Sequence, residues 1–576
     1  MIAKQLIEPK SIVVVGGSDD IHKPGGTVLR NLQDGNFKGS LYVVNPKMDE
    51  VQGIKAYRDV KDLPEVDCAI LAIAAKFCPS TVEVLAKQKN TKAFIILSAG
   101  FHEENEEGAK LERQIVETIN SVGGSLIGPN CIGVLTNHYS GVFTSPIPEL
   151  NPQGVDLISG SGATALFIMD SGMQKGIKFN SMYSVGNSAQ LGVEEILEYM
   201  DESFDPKTSS RVKLLYVESI EKPEKLLKHA SSLIRKGCRI AAVKSGGSAA
   251  GSRAASSHTG ALASSDVAVE ALFRKAGIVR CNGRDELMTV AGIFMHPEMK
   301  GRNMAVVTHA GGPAVMLTDA LSNGGMDVPH IEGEKAQELL GKLFAGSSVG
   351  NPIDFLATGT AEQLGYILDA CDRDFDNIDG MAVIFGSPGL FPVFDVYNVL
   401  DEKMKTSKKP IFPIFPSSKI VKDEIAEFVS KGRVYFPDEV LFGNALCKIY
   451  KTPAPQPEHF EMPDMDVKKI REVVDNAQNG YLSPDEIHAL LDAAGVARAK
   501  EGVSDNEEEI VKMAKEIGFP LVMKVVGPIH KSDVGGVVLN VSDEETVRRE
   551  FNRMMQIKDT YAIMLAQQLS GTQVFI

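Results

Sequence analysis

Short apolar segments alternate with amphipathic helical patterns over roughly the first 450 residues, and this alternation constrains the fold more than any other feature. Near the N-terminus, helical patterns such as CPSTVEVLAKQ and GAKLERQIVETINSV separate the apolar segments. Strands that alternate with helices through short loops favour a parallel, doubly wound sheet. The sequence therefore predicts an α/β protein. The N-terminal strand candidates are SIVVVGG (11–17), LYVVNP (41–46), CAILAIA (68–74), AFIILSA (93–99) and SLIGPN (125–130).

The same alternation begins again twice along the chain. Strand candidates VDLIS, FNSMYSV, KLLYVES and CRIAAVKS form a second group, and NMAVVTHAGG, GMAVIFGS and KPIFPIFPSS form a third. The segment KTPAPQPEHFEMPDM is rich in proline and polar residues, which is typical of an interdomain linker, and a helix-rich unit follows it. We predict three α/β domains at 1–150, 151–298 and 299–450, a linker at 451–470 and a further domain at 471–576.

Composition excludes several classes of protein and partner. Of the 576 residues, 43% are hydrophobic and 23% are charged, as in ordinary globular proteins. The net charge of −15 argues against nucleic acid and anionic membranes as partners. The seven cysteines are scattered without a C-x-x-C pair, which disfavours a zinc knuckle or redox motif and fits a reducing compartment. No apolar run approaches the ~20 residues of a membrane span, so we expect a cytoplasmic protein.

An internal similarity links the second and third groups. Residues 155–170 (VDLISGSGATALFIMD) align without gaps on residues 304–319 (MAVVTHAGGPAVMLTD). Each segment reads as a strand, a loop of very small residues and the start of a helix. Small residues at a helix start let backbone amides approach an anion. Two interpretations stay open, namely a resemblance common to all strand–helix units and a pair of phosphate-binding helix N-termini.

The loop after the first strand suits the approach of a phosphate. Gly17 and Ser18 follow the strand, and Lys23 precedes the next helix. The loop lacks the G-x-G-x-x-G pattern, and Asn45 and Lys47 stand where an NAD site would place an acidic residue. A lysine here favours a ligand with an additional phosphate, such as coenzyme A. A purely structural turn explains the glycines equally well.

Two residues of the second group are candidates for phosphoryl chemistry. His258 lies in a long run of Gly, Ala and Ser (245–273), and such a run cannot pack a core around the imidazole. Neutral imidazole is a good nucleophile when a carboxylate or carbonyl holds its second nitrogen. Glu218 follows an apolar strand, where active-site residues of open α/β sheets gather. The alternatives are a solvated loop histidine and a surface acid.

The C-terminal region contains a further phosphate-binding pattern. Lys524 interrupts an apolar strand, and a buried lysine needs an anion, which a nucleotide phosphate would supply. The segment GPIHKSDVGGVVLNV then places His530 and Ser532 beside Gly535 and Gly536. A glycine-rich reversal of this kind suits a loop that folds over phosphates. A lysine that reaches water from an edge strand and a simple hairpin are the alternatives.

The order of these motifs resembles one family. The motifs VVVGGS, IGPNCIGV, SGSGA, SVGN, VES, SSHTGALA, THAGGP, NPIDF and KVVGPIHKSDVGGV follow one another from about Ser11 to Ile576. This sequence resembles the NDP-forming acyl-CoA synthetases (acetate–CoA ligase, ADP-forming), relatives of succinyl-CoA synthetase with both subunits fused. The resemblance implies a Rossmann-like CoA-binding domain, two flavodoxin-like domains of the succinyl-CoA synthetase type and the first part of an ATP-grasp domain.

The resemblance also implies a reaction and its residues. Acyl-CoA, ADP and phosphate would be interconverted with a short organic acid, CoA and ATP through an acyl phosphate and a phosphohistidine. His258 would carry the phosphoryl group, Glu218 would orient it and His530 would be a second carrier. Phosphate binding is expected at Ser161, Gly162, Ala163, Ala310, Gly311 and Gly312. CoA binding is expected at Gly17, Ser18, Lys23, Asn45, Lys47, Ala74, Ala99, Gly100 and Asn130, and nucleotide binding at Lys524, Ser532, Gly535 and Gly536.

Some features depart from the family pattern or bear on rival functions. His309 stands where the family more often has a small polar residue. We expect Mg²⁺ to assist, but the sequence stops inside the expected ATP-grasp domain, so the metal ligands are expected beyond its last residue. The family also leads us to expect a homodimer. A CoA-binding regulatory protein with degenerate catalysis is disfavoured because both His258 and Glu218 are present. An AMP-forming ligase is disfavoured because no P-loop ending in Pro-Lys-Gly occurs.

Overall fold

The structure, a computed structural model, describes residues 2–35, 37–259, 265–387, 392–457, 463–480, 482–528 and 531–571, without the side chains of 255–259 and Pro484. The chain divides into two compact units, Met1–Gln456 and Pro457–Ile576. Across the described residues, no helix combines the length and the apolar character that a membrane span requires. Three mainly parallel sheets in the first unit confirm the predicted α/β class.

The first sheet has seven strands in the order β3-β4-β2-β1-β5-β6-β7. The strands β1, β2, β5, β6 and β7 are parallel, and β3 pairs with β4 in a short antiparallel hairpin that the sequence pattern did not predict. The elements are α1 (Lys4–Ile7), β1 (Ser11–Val15), α2 (Pro24–Asp34), β2 (Ser40–Val44), β3 (Glu50–Val51), β4 (Ile54–Tyr57), β5 (Cys68–Leu71), α3 (Cys78–Gln88), β6 (Ala93–Ile96), α4 (Glu106–Ser121) and β7 (Ser125–Ile127).

The second sheet also has seven strands, in the order β14-β13-β12-β10-β11-β8-β9. The antiparallel pair β8–β9 forms its edge, although these residues fall within the predicted first domain. The elements are β8 (Gly133–Leu135), β9 (Ser140–Val142), β10 (Leu150–Ser159), α5 (Gly162–Gln174), β11 (Phe179–Ser184), α6 (Val193–Glu202), β12 (Val212–Val217), α7 (Pro223–Arg235), β13 (Arg239–Lys244), α8 (Ala249–Thr259), α9 (Asp266–Ala276), β14 (Val279–Cys281) and α10 (Arg284–Phe294).

The third sheet is smaller, with four parallel strands in the order β16-β15-β17-β18. Its first helix is as long as α5 and begins at the position that the internal alignment pairs with Gly162. The elements are β15 (Met304–Thr308), α11 (Gly311–Asn323), α12 (Glu334–Leu340), β16 (Ile353–Asp354), α13 (Ala361–Arg373), β17 (Gly380–Ile384), α14 (Phe394–Thr406), β18 (Ile411–Ile414), α15 (Lys422–Ser430) and α16 (Glu439–Lys451).

Two apolar clusters connect the three sheets. One joins residues of the first and second sheets, such as Ile12 and Ile158, and the other joins the second and third, such as Leu157 and Val306. All four side chains are fully buried. Buried apolar area is the main stabilising contribution in such cores, at roughly 25 cal/mol per Å². The loops at the carboxyl ends of the first and second sheets are therefore held by one continuous core.

The second unit, described by itself, has an antiparallel four-stranded sheet in the order β19-β22-β20-β21. Helix α18 begins with a capping box in which Ser483 and Glu486 bond reciprocally, as its sequence SPDE predicts. The elements are α17 (Val467–Asn476), α18 (Pro484–Ala493), β19 (Glu501–Ser504), α19 (Glu507–Ile517), β20 (Leu521–Val526), β21 (Val537–Val541), α20 (Glu544–Met554) and β22 (Ala562–Gln567).

Candidate active site

The connectivity of the second sheet creates a crevice beside its central strand. From β10 the chain passes through α5 to β11 on one side, and then through α6 to β12 on the other. Ligands of open α/β sheets bind where the chain changes direction in this way, at the carboxyl ends of the strands. Ser161 follows β10 and Glu218 follows β12, so both predicted residues lie at this position.

A cavity of about 640 Å³ occupies this position. Its lining includes Ser161, Gly162, Ala163 and Glu218 from the second sheet and Asn130, which follows the last strand of the first sheet. The structure thus brings residues predicted to bind phosphate and CoA to one cavity. A volume of this size is typical of pockets for small ligands.

The N-terminus of α5 forms one wall of the cavity. The Ser161 side chain caps the helix by accepting the amide of Thr164 at 3.4 Å. A Cβ atom on Gly162 would lie 2.6 Å from the side chain of Ile132, so a larger residue here would displace the wall. The first amides of a helix lack partners within the helix and carry partial positive charge. The arrangement suits a phosphate group.

The corresponding N-terminus of α11 has the same backbone form but different surroundings. Its first residue follows Ala310, which offers no side-chain cap. The ring of His309 stacks on Phe385 with centroids 4.3 Å apart, and burial lowers the pKa of this imidazole. Ala310, Gly311 and Gly312, all within the described part, are not among the residues that line the 640 Å³ cavity. The structure confirms the likeness of the two turns but brings only the first to this cavity.

The CoA-binding residues predicted in the first sheet follow the carboxyl ends of its strands. Gly17 and Ser18 follow β1, Ala74 follows β5, and Ala99 and Gly100 follow β6. These residues therefore lie at the edge of the sheet where ligands of this fold class bind.

Asn45 connects two of these loops. Its amide nitrogen donates to the carbonyl of Gly17 at 2.8 Å, and its Oδ1 accepts the backbone amide of Lys47 at 2.9 Å. Asn45 therefore fixes the loops after β1 and β2 relative to each other. The Lys23 ammonium, 3.6 Å from Asp20, is largely exposed at the start of α2 and available to an anion.

A network of polar side chains at the cavity was missed by the sequence reasoning. His102 Nδ1 lies 2.7 Å from Glu112 Oε1. The side-chain amide of Asn187 donates to Glu103 Oε2 at 2.5 Å and to Glu112 Oε2 at 3.2 Å, and its Oδ1 accepts from Asn130 at 3.4 Å. Asn187 belongs to the SVGN motif, which was the only sequence signal. Its partners lie more than 50 residues away along the chain.

The carboxylate of Glu103 accepts hydrogen bonds from two backbone amides of the loop after β6. Gly100 donates to Glu103 Oε1 at 2.6 Å and Phe101 donates to the same oxygen at 3.2 Å. Burial opposes ionisation of this carboxyl, but the hydrogen bonds from Asn187 and these two amides outweigh it and lower the pKa of Glu103. Gly100, predicted to bind CoA, thus directs its amide to a protein carboxylate in this structure.

The side chain of His258, the predicted phosphohistidine, lies outside the described part of the chain. His258 belongs to α8, whose backbone is described. His530, the predicted second carrier, lies outside the described residues altogether.

In the second unit, Lys524 lies on β20, between β21 and β22. It is half-buried on an interior strand, and this excludes the edge-strand alternative. Ser532, Gly535 and Gly536 form the turn between β20 and β21, where the Gly536 amide donates to the carbonyl of Lys531 at 2.8 Å. The antiparallel turn and the lysine side chain are compatible with nucleotide phosphates.

Side chains alone form no metal-ion site in the described part of the chain. Within the described ranges, no group of three or more His, Cys, Asp or Glu side chains could hold a metal ion. A Mg²⁺ ion bound with a nucleotide would need only one or two carboxylates in addition to the phosphates.

Comparison with known proteins gives a consistent result over the whole chain. Matching families are a CoA binding domain over residues 10–137, a succinyl-CoA ligase-like flavodoxin domain over 152–294 and an ATP-grasp domain over 473–574. The chain is 32% identical to acetate–CoA ligase (ADP-forming) I of Archaeoglobus fulgidus, covering 96% of this chain and 80% of the relative. It is 29% identical to 4-hydroxybutyrate–CoA ligase (ADP-forming) of Nitrosopumilus maritimus, covering 97% and 81%.

A solved structure is similar as well. The dinucleotide forming acetyl-coenzyme A synthetase 1 of Ca. Korarchaeum cryptofilum, in complex with phosphate and ADP, superposes with a TM-score of 0.70 at 26% identity. The match covers 78% of this chain and 96% of that chain.

Proposed function

Since the chain belongs to the family of ADP-forming acetate–CoA ligases, we propose that it interconverts acyl-CoA, ADP and phosphate with a short organic acid, CoA and ATP. It is an acid–thiol ligase. The observation that best supports the site assignment is the meeting of Asn130, the N-terminus of α5 and Glu218 around one cavity. A thioester and a phosphate bound in this cavity would meet beside an acidic side chain.

In the first step, an oxygen of phosphate bound at the α5 N-terminus attacks the thioester carbonyl. The carbon–sulfur bond breaks, an acyl phosphate forms, and CoA leaves as the thiolate. The amides after Ser161 stabilise the negative charge on the phosphate oxygens, because they are already oriented before reaction.

In the second step, His258 takes the phosphoryl group from the acyl phosphate. A nitrogen–phosphorus bond forms, the bond between phosphorus and the acyl oxygen breaks, and the acid leaves as a carboxylate. The Glu218 carboxylate accepts the N–H of the other ring nitrogen, which keeps the attacking nitrogen unprotonated.

In the third step, the phosphohistidine transfers its phosphoryl group to ADP to form ATP. The half-buried Lys524 neutralises nucleotide phosphates, and Ser532, Gly535 and Gly536 contact them from the turn. His530 acts as a second carrier between nucleotide and His258.

We propose a short organic acid as the substrate. The two relatives named above act, by their names, on acetate and 4-hydroxybutyrate, which differ in length but are both short. Discrimination by one methylene is worth only about 1–3 kcal/mol, so a panel of acids in a CoA-thioester assay decides among them.

The enzyme works as a cytoplasmic homodimer. Phe167 on α5 and Met316 on α11 occupy aligned positions, are 57% and 49% exposed, and provide apolar area for self-association. The described cysteines are all free and buried, which fits a reducing compartment. Light scattering during size-exclusion chromatography measures the oligomeric state, and a monomeric mass would reject the dimer.

The central experiment is labelling with ATP carrying ³²P in its γ-phosphate, in the presence of magnesium. Wild type should form an acid-labile, base-stable phosphoprotein with label on His258. His258→Ala should carry label on His530 alone, and Glu218→Gln should label His258 slowly. His330→Ala, which removes an exposed histidine that does not line the cavity, is the matched control. The mechanism is wrong if His258→Ala labels like wild type and retains CoA-dependent ADP formation.

The proposed transfer of the phosphoryl group between His530 and His258 is tested by a separate variant. His530→Ala should retain labelling of His258 from acetyl-CoA and ³²P-phosphate but lose labelling from ATP. Labelling of His258 from ATP at the wild-type rate in His530→Ala would exclude the relay.

A further inference from the structure

The segment that carries His258 leaves the second sheet and returns to it at one place. It leaves after Lys244, the last residue of β13, and returns at Asp266, the first residue of α9. A Cβ atom on Gly247 would lie 2.7 Å from Oδ1 of Asp266. The two ends of the segment are therefore in contact, and only a glycine permits so close an approach to the carboxylate.

Arg280 holds this contact from the neighbouring strand. It lies on β14, which pairs with β13, and its Nη2 is 2.5 Å from Asp266 Oδ1. Its Nη1 is 2.9 Å from Glu270 Oε2, one turn further along α9. The guanidinium is about one-fifth exposed, so solvent screens it only in part.

The departing end is held separately. The Lys244 side chain is buried, and its ammonium donates to the carbonyl of Gly246 at 2.9 Å. Burial lowers the pKa of Lys244, and the nearby Asp266 carboxylate opposes that change. The Asp266 carboxylate, at the returning end of the segment, thus also lies near Lys244 at the departing end.

We propose that Arg280 is a positioning residue for His258, because it holds Asp266 against Gly247 and so closes the base of the segment between residues 247 and 266. The proposal rests on the proposed function, in which His258 is the phosphoryl carrier. Closing the base of this segment, which contains α8, restricts the positions that α8 and its His258 can take relative to the second sheet. Misplacement of a reacting group by about 1 Å can cost about 100-fold in rate. Arg280 itself contacts neither phosphate nor nucleotide in this mechanism.

The test uses two labelling half-reactions of the full chain, from acetyl-CoA with ³²P-phosphate and from γ-labelled ATP. In Asp266→Asn, which keeps the side-chain shape, and in Arg280→Met, both rate constants for labelling should fall about 10-fold or more. The KM for acetyl-CoA should stay within about twofold, because the cavity is unchanged. Glu270→Gln is the matched control, since it removes a carboxylate from the same guanidinium without touching Gly247, and it should label within about twofold of wild type.

Two further variants separate positioning from general stabilisation. Gly247→Ala leaves the ion pair chemically intact but pushes the carboxylate away, and it should share the labelling defect. Exchanging the charges, in Asp266→Arg with Arg280→Asp, should restore part of the labelling rate. If the labelling defect came only from lower stability, the labelling rates of all variants, including Glu270→Gln, would decrease in the order of their melting temperatures.

The outcomes are distinguishable. If wild type carries no label on His258, the proposed function fails and the inference with it. If wild type is labelled and Asp266→Asn, Arg280→Met and Gly247→Ala are labelled at the wild-type rate, the inference alone is overturned. A rise in the KM for acetyl-CoA that accounts for the whole defect would also overturn it, because the effect would then lie in the cavity.

Discussion

Ser159 and Thr308 make the same pair of hydrogen bonds at the ends of two different central strands. The Ser159 hydroxyl donates to the carbonyl of Ser161 at 2.7 Å and accepts its amide at 3.2 Å. The Thr308 hydroxyl donates to the carbonyl of Ala310 at 2.8 Å and accepts its amide at 3.0 Å. Both residues are fully buried. The internal sequence similarity therefore reflects a shared backbone form that one hydroxyl maintains in each copy.

The two helices differ in their caps, which gives a first prediction. Ser161→Ala should lower the free energy of unfolding of the first unit by about 0.5–1 kcal/mol, because the Thr164 amide loses its acceptor. Ala310→Ser, the reciprocal change, should raise it by a similar amount if the new hydroxyl caps α11. Thermal melting of both variants measures the effect. Equal melting temperatures for the two variants would contradict this account of the caps.

A second prediction concerns the buried ion pair between Asp156 and Lys213. The two residues are register partners on β10 and β12, and their side chains are at most 4% exposed. Asn180 and Ser181 donate to Asp156 Oδ1 at 2.7 and 2.6 Å, and Lys213 also donates to the carbonyl of Ser210 at 2.7 Å. Lys213→Met should cost about 3–5 kcal/mol, because it leaves a buried carboxylate without its cation.

The double variant Asp156→Leu with Lys213→Met is the control for that prediction. Removing both charges leaves no unpaired ion, so it should be clearly more stable than Lys213→Met alone. Denaturant unfolding of the three proteins checks the order. If the double variant is the least stable, charge pairing is not the reason for the loss.

A third prediction is a dependence of stability on pH through His296. This imidazole is buried against Phe412 and Phe436, and its Nδ1 lies 2.8 Å from the carbonyl of Gly292. Burial lowers the pKa of His296 from 6.5 to about 4, and the hydrogen bond to Gly292 opposes the change only in part. Between about pH 6.5 and pH 4 the unfolded chain therefore binds a proton that the folded chain does not. Stability contributed by this group falls as the pH decreases through that window.

This difference in pKa between the unfolded and the folded chain corresponds to about 3 kcal/mol of stability. His296→Leu removes the titrating group, so the stability difference between wild type and variant should fall by about that amount from pH 7 to pH 4. Parallel stability curves for the two proteins would mean that His296 is protonated in the folded state as readily as in the unfolded one.

A fourth prediction tests the loop after β1, where we propose that CoA binds. A Cβ atom on Gly25 would lie 2.1 Å from the carbonyl oxygen of Gly16, which itself has a positive φ of 88°. Gly25→Ala should push the loop after β1 away from α2 at a cost of about 1–3 kcal/mol and weaken CoA binding up to about 100-fold. Gly283→Ala is the control, because no atom lies within 4 Å of the added Cβ. Isothermal titration measures the affinity of both variants for CoA. Equal affinities of Gly25→Ala and Gly283→Ala would contradict the prediction.

The alternation of short strands and helices was enough to predict the α/β class and most strands of the first unit. β1 and β5 fall within the expected segments, and β12 begins one residue before its segment, because parallel strands buried on both faces read as continuous apolar runs. The gapless alignment also predicted the matching starts of α5 and α11. These successes depend on local patterns that repeat with a period of two or 3.6 residues.

The missed features depend on pairing between distant parts of the chain. Asn187 joins Glu103 and Glu112 across sequence separations of 84 and 75 residues, and no local pattern encodes such partners. The contact of Gly247 with Asp266 was hidden for the same reason. Asn45 was predicted to bind CoA, and in the structure its side chain connects the loops after β1 and β2.

The hairpin β8–β9 has a consequence for recombination between relatives. Residues 133–142 continue the chain of the first sheet but complete the edge of the second, where Val134 pairs with Tyr183. Asn31 on α2 reaches back to the carbonyl of Val142 at 2.6 Å. A chimaera joined at residue 150 would exchange β8 and β9, which belong to the second sheet, together with the first sheet. A crossover placed between Asn130 and Gly133 would keep each sheet whole, and such a junction falls among residues that line the cavity.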